Sequence, residues 1–307
     1  MQIQIPAKNG HKDILKSKKI RKISRKTKRT CFMSRMMNKA VRKLDCVDLA
    51  SYTSLSVNLI ESITYNLKRT CHKNLCKKDP FLTQTTINIK MRAILLDWLH
   101  KIHKVMKFKP RTFFMAVNLL DRYLQAKVIT KDQLQLLGLT CLFISVKFEE
   151  LHPPKLKNFL SIFKGQFTMN ELISMETDIL MTLNFSLVFV SALDLIDTYC
   201  VLFGQANNDI RQSCVLILKA FSFYGISSLI SPIKLSNLTC VLAQKIQNEK
   251  SYLLTKNETN SKELSFFQSQ IKRVILNTKQ FKLSSINKEL SISSGFSQFF
   301  ERTSLTV

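Results

Sequence analysis

The chain has 307 residues, with 47 Lys and Arg against 21 Asp and Glu, giving a formal net charge of +26. That length suits about two domains, each able to bury a core, and a hydrophobic fraction of 45% excludes a wholly disordered chain. With six Gly, six Pro and no GxGxxG or GxxxxGK[ST] run, the sequence argues against a turn-rich all-β protein and against phosphate-cradling glycine loops.

The positive charge is concentrated at the start. Residues 1–45 hold 15 Lys and Arg and only two acids, Asp13 and Asp45. No apolar periodicity runs through residues 1–50, which predicts a basic, disordered arm. Lys18, Lys19, Arg21, Lys22, Arg25, Lys26, Lys28 and Arg29 are a candidate nuclear-import signal. The alternatives for this run are a non-specific nucleic-acid contact and a solvated tail. The 262 residues after position 45 still carry +13, so the body is basic too.

From Leu55 the spacing becomes helical. Leu55, Leu59, Ile60, Ile63 and Leu67 predict a short amphipathic helix before Pro80. Met91, Ile94, Leu95, Trp98, Leu99 and Ile102 then form one wide apolar stripe, predicting a helix over Met91–His103. Pro110 suits the first turn of a helix containing Phe113, Phe114, Val117, Leu120 and Leu124. Leu134–Val146 is apolar nearly all round, the pattern of a helix at the centre of a bundle. It is too short for the ~18 residues that cross a bilayer, as is Ala220–Ile233, and the basic N-terminus does not read as a secretory signal. The expectation is a soluble intracellular protein with no membrane partner. After Pro153-Pro154 come Leu156, Phe159, Leu160 and Phe163, and then a capping box, Thr168-x-x-Glu171, ahead of Leu172, Met175, Ile179 and Leu183.

A second helical set is predicted over Ala192–Phe203, Asp209–Tyr224, Ser231–Gln247 and Lys262–Thr278. Ser231-Pro232 reads as an N-cap followed by Pro at the first helical position, with a proline-directed phosphosite as the alternative. The segment from Ser284 has seven Ser in 24 residues and is expected to be a frayed tail. No stretch alternates like a strand. The predicted fold class is all-α.

The eight cysteines contain no CxxC pair, and Cys71-His72…Cys76 has ligand types for zinc but no second half. Neither a metal nor a cofactor is expected. Cys141, Cys214 and Cys240 fall in apolar helical patterns, where a thiol behaves as a small hydrophobe. His100, His103 and His152 read as surface or capping residues, and no nucleophile–base constellation can be named. No catalytic residue is assigned.

Four motifs resemble those of the cyclins, most closely the A- and B-type (mitotic) cyclins. Met91-Arg-Ala-Ile-Leu-Leu-Asp-Trp98 resembles the start of the cyclin box, and Met115-Ala-Val-Asn-Leu-Leu-Asp-Arg-Tyr-Leu124 its second helix. Leu134-Gln-Leu-Leu-Gly138, Lys147-Phe-Glu-Glu150 and Pro153-Pro154 are similar to the central stretch. Met175-Glu176, Ile179-Leu180 and Leu183-x-Phe185 are similar to the end of the box. The likeness covers about 100 residues and weakens after Phe189. It implies two tandem five-helix cyclin boxes, the second divergent: residues 55–188 with the preceding helix, then 189–283, and last a tail over 284–307.

The resemblance further implies a non-catalytic subunit that binds and activates a cyclin-dependent serine/threonine kinase, controlling cell-cycle progression at G2/M. The kinase contacts it implies are Lys147, Phe148, Glu149, Glu150, Glu176, Leu180 and Leu187. Met91, Ile94, Leu95, Trp98, Leu134 and Gln135 match the family's substrate-docking patch, which also takes inhibitors, and Arg92 and Asp121 match its buried ion pair. The chain departs from the family in carrying Lys101, Lys104 and Arg111 where acids are usual, which shifts the expected preference of the patch away from basic peptides. Nor does any Arg-x-x-Leu or Lys-Glu-Asn destruction signal occur in residues 1–90. Nucleus and cytoplasm are the expected locations. The competing reading is a nucleic-acid-binding transcription factor of the TFIIB type. The charge favours it; the lack of a zinc ribbon and the presence of the motifs above oppose it, so direct nucleic-acid binding is not expected.

Overall fold

The computed structural model describes residues 62, 65–67, 69–71, 73–76, 78–163, 165–202, 208–223, 229–247, 261–281 and 283–292. The basic arm, with its import candidates from Lys18 to Arg29, lies outside these residues, as does most of the predicted helix over 55–64. Residues 65–67 and 69–70 are helical. Ten α-helices follow, and no strand occurs among the described residues.

The first five helices are α1 (Ile89–Val105), α2 (Pro110–Ala126), α3 (Lys131–Glu149), α4 (Leu156–Ser161) and α5 (Met169–Thr182). Their starts follow local chemistry. The Asn88 side chain accepts from the Met91 N–H at 2.9 Å, which supplies a partner for one orphan donor at the head of α1. Pro110 opens α2, where its missing N–H costs nothing. At α5 the Glu171 N–H donates to Thr168 Oγ1 at 3.2 Å, and the Thr168 N–H donates back to Glu171 Oε2 at 2.8 Å, the reciprocal box read from the sequence. Every residue from Leu137 to Val146 on α3 is buried, as a helix apolar all round requires. Accordingly α3 packs against α1, α2 and α5.

The second five are α6 (Ala192–Leu202), α7 (Asn208–Ser222), α8 (Pro232–Ile246), α9 (Ser261–Gln280) and α10 (Ser284–Ile292). Here too the third helix packs on the first two: α8 lies against α7 and α6. Ser231 sits at the N-cap of α8, but its side chain makes no capping bond there.

Helix α10 occupies part of the segment expected to fray. Ile286 and Leu290, four residues apart, are both buried and seat it against α1, α7 and α9. One core runs through both helical sets, from Leu99 and Phe113 to Phe221 and Ile286.

Candidate functional site

The two sets are joined at Arg92. Its guanidinium is fully buried and forks onto Asp121 of α2, with Nε 2.6 Å from Oδ1 and Nη2 2.8 Å from Oδ2. The remaining Nη1 donates to the Ser222 carbonyl at the end of α7, 2.9 Å away. A planar five-donor head is suited to this double duty.

At the far end of α3, Lys147 pairs with Glu176 on α5, and the Lys147 ammonium also stands 4.9 Å from the centroid of the Phe143 ring. Phe148 is 48% exposed. Leu180, one turn beyond Glu176, and Leu187 are half-buried against the core. Met181, next to Leu180 on α5, and Phe185, just past its end, are exposed apolar side chains, at 63% and 64% exposure, and the sequence assigned neither of them a contact role. Phe185 and its neighbour Asn184 have left-handed backbones, with φ of 52° and 50°, a conformation that costs a side-chain-bearing residue energy.

Glu149 and Glu150, expected as kinase contacts, are half-buried and make bonds within the chain. Glu150 Oε1 accepts from the Lys109 N–H at 2.8 Å and from Thr112 Oγ1 at 2.6 Å. Lys109, the N-cap residue of α2, has no capping side chain of its own, so a carboxylate from α3 fills that role. Glu149 Oε2 lies 3.0 Å from Arg111 Nε, and Arg111 Nη1 lies 3.2 Å from Asp194 Oδ1 on α6. Burial pushes both carboxyls above their usual range, and the Arg111 charge opposes it. Arg111 therefore belongs to this junction and not to the docking patch.

The six patch residues divide. Ile94 is 47% exposed, Gln135 is exposed, and Met91 and Trp98 are half-buried, with Trp98 5.6 Å from Phe163 between ring centroids. Leu95 and Leu134 are core residues, only 5% and 6% exposed. A Cβ added to Gly138 would meet the Leu95 methyls at 2.8 Å, so glycine permits the close approach of α3 to α1. A wide helical stripe has two sides, and these two leucines lie on the inner one.

The buried side of α1 carries a polar network that the sequence did not announce. Asp97 Oδ1 accepts from the Ser285 and Ile286 N–H groups at 2.9 and 3.1 Å, capping α10. His100 Nδ1 is 2.8 Å from Ser285 Oγ, and its Nε2 is 2.9 Å from Glu289 Oε2. Glu289 also meets Lys219 at 2.7 Å and Lys104 at 3.5 Å. Burial raises the Glu289 carboxyl, but the His100 bond and the Lys219 charge together hold it well below the usual range. His103, also buried, is 2.8 Å from the Lys109 carbonyl through Nε2, and burial pushes its pKa down to about 4. Thus His100 and His103 are interior groups; only His152 lies on the surface as expected.

Residues 61–188 match the family described as "Cyclin, N-terminal domain". This segment is a cyclin domain. Cyclin-A1-2 of Arabidopsis thaliana is 42% identical over 110 residues, covering 36% of this chain and 25% of that protein. The G2/mitotic-specific cyclin-B of Marthasterias glacialis is 35% identical over 123 residues, covering 40% of this chain and 32% of that one. The matched segments thus span a third or less of these two relatives, which place the cyclin among those close to the mitotic types. A viral cyclin from herpesvirus saimiri has the same fold, with a TM-score of 0.55 at 22% identity over 78% of this chain and 99% of that one.

Proposed function

We propose that this cyclin is a non-catalytic subunit that binds and activates a cyclin-dependent serine/threonine kinase, acting at G2/M. The observation that carries this reading is the Lys147–Glu176 ion pair on a cyclin domain, with exposed Phe148 next to Lys147 in the chain and exposed Met181 and Phe185 on and just after the helix that bears Glu176. Charged anchors beside exposed apolar side chains are what a protein interface uses for register and for area. The kinase's own Lys–Glu pair and metal-binding Asp perform the phosphoryl transfer. The cyclin's part is to bind the active arrangement better than the inactive one and so shift its population. Glu149 and Glu150 act one step back, fixing the start of α2 and with it the end of α3 that holds Lys147. Met91, Ile94, Trp98 and Gln135 offer the surface for substrates and inhibitors, and the basic arm supplies an import address for a protein shared between nucleus and cytoplasm.

Reconstitution with a purified cyclin-dependent kinase tests this reading. Lys147→Ala/Glu176→Ala should bind about 30-fold more weakly or worse, because truncating interfacial charges costs about 2 kcal/mol or more. Removing both partners strands neither charge, so the variant's thermal stability should fall by no more than about 1 kcal/mol, with Lys147 41% and Glu176 15% exposed. Equal activation by both proteins would refute the assignment.

A further inference from the structure

Where the two helical sets meet, a cavity of about 70 Å³ lies between α2, α6, α7 and the head of α8. Its wall is mostly apolar and includes the rings of Phe114, Phe189 and Phe221. Leu75, Phe189, Ile230 and Leu235 are its half-buried residues and form the mouth. A single water needs about 10–15 Å³ of such space, so there is room for several waters or for one small organic molecule.

Four polar residues are among those lining it, and three have their partners within the chain. Each Asp121 oxygen accepts from Arg92. Ser222 Oγ donates to the Leu218 carbonyl at 2.8 Å, and Ser191 Oγ donates to Asp194 Oδ2 at 2.9 Å. The fourth, Asn118, is 5% exposed. Its Nδ2 donates to the Asn74 carbonyl at 3.0 Å, which fixes which end of the amide is which. Oδ1 is left buried with no hydrogen-bond partner, a costly condition for an acceptor. Water remedies it poorly. A held water needs about two to four polar partners, and Asn118 Oδ1 is the one unpartnered side-chain acceptor among the described lining residues.

We infer that this cavity binds a small uncharged aromatic molecule carrying one O–H or N–H donor, of the size and kind of a phenol. The ring would pack among the three phenylalanines in the offset or edge-on contacts that aromatic rings prefer, and its donor would meet Asn118 Oδ1. A charged ligand would be desolvated against an apolar wall whose one carboxylate, Asp121, is already matched by Arg92. Bound there, the molecule would touch both helical sets beside the Arg92–Asp121 pair and stabilise the folded chain. Neither Lys147 nor Trp98 lines the cavity, so its ligand is independent of the kinase-regulating role.

Fluorine NMR of the full chain with para-fluorophenol and para-fluorotoluene, which match in size and shape, tests the site. The phenol should bind with a dissociation constant of about 1 mM or tighter, ordinary for so few atoms. In the wild type, nuclear Overhauser contacts should join its ring to Phe114 and Phe221. Leu235→Trp narrows the mouth and should weaken both probes about tenfold or more. Asn118→Leu removes the acceptor at similar volume and should lower the preference for the phenol over the toluene about tenfold. The hydration of each probe is the same with either protein and cancels from that comparison. Circular dichroism checks that the variants fold, and the wild-type contacts decide the matter without them. No binding of the phenol, contacts only to other surfaces, undiminished binding by folded Leu235→Trp, or an unchanged preference in folded Asn118→Leu would overturn the inference.

Discussion

Arg92 and Asp121 meet with no solvent exposure, and the Ser222 carbonyl takes the donor left over. Arg92→Ala would leave Asp121 as an uncompensated buried charge. We expect the loss of about 3–5 kcal/mol of unfolding free energy, measurable by urea denaturation; an unchanged midpoint would contradict the pairing. The sequence placed both charges within apolar helical stretches, and their pairing was implied by the resemblance to the cyclins. The roles of Glu149 and Glu150 were not legible, because their partners lie about 40 residues away and no local pattern says which carboxylate caps which helix. His103 gave no signal for a related reason: it stands between Ile102 and Lys104 in sequence, and only the fold brings the Phe108 and Phe113 rings against it. Its consequence is a pH dependence. The unfolded chain takes up a proton on this residue near pH 6.5, the folded protein only near 4. Between those values the unfolded state binds more protons, so stability falls as pH is lowered from about 6.5 to about 4, by about 3 kcal/mol. His103→Gln should flatten that part of the stability–pH curve; an equally steep curve would show that other groups carry it.

Among the elements, α3 could be read without ambiguity, because thirteen consecutive uncharged residues from 134 to 146, too few to cross a bilayer, place such a helix at the centre of a bundle. Helix α10 gave no such signal. It has nine residues, its two buried apolar positions are a single i, i+4 pair, and it lies in a serine-rich stretch. Its stability is tertiary, supplied by Asp97, His100 and Lys219 from other helices, and propensity does not register that. Asp97→Ala should cost about 1–2 kcal/mol through the lost cap. Glu289→Gln should cost about 2–4 kcal/mol, below the range for a fully enclosed pair because Glu289 is 23% exposed. Hydrogen exchange would show both effects as faster exchange in α10 and in the facing turns of α1; protection unchanged in either variant would contradict the network as the clasp of this helix.

At the scale of the molecule, the excess of positive charge resolves into parts with different roles. Much of it lies in the arm before residue 50, and within the described residues Arg92, Lys147, Arg111 and Lys219 are all matched to carboxylates. On the outer face of α1, Lys101 and Lys104 are matched as well, to Asp97 and Glu289. Two five-helix sets share one core, so the faces at Lys147 and at Trp98 are carried by the same rigid helices α1, α3 and α5. A kinase held at the first and a substrate segment held at the second would be fixed relative to each other, which raises the effective concentration of the substrate at the catalytic centre.

The central claim is that this cyclin activates a protein kinase. The most direct test is to isolate the tagged full-length chain from dividing cells of its own source and measure phosphoryl transfer from ATP to a serine peptide in the eluate. The account predicts co-purification of a serine/threonine kinase whose activity is lost from the Lys147→Ala/Glu176→Ala eluate. Eluates without kinase activity, or with equal activity from both proteins, accompanied by DNA binding that weakens steeply from 50 to 200 mM salt, would contradict it.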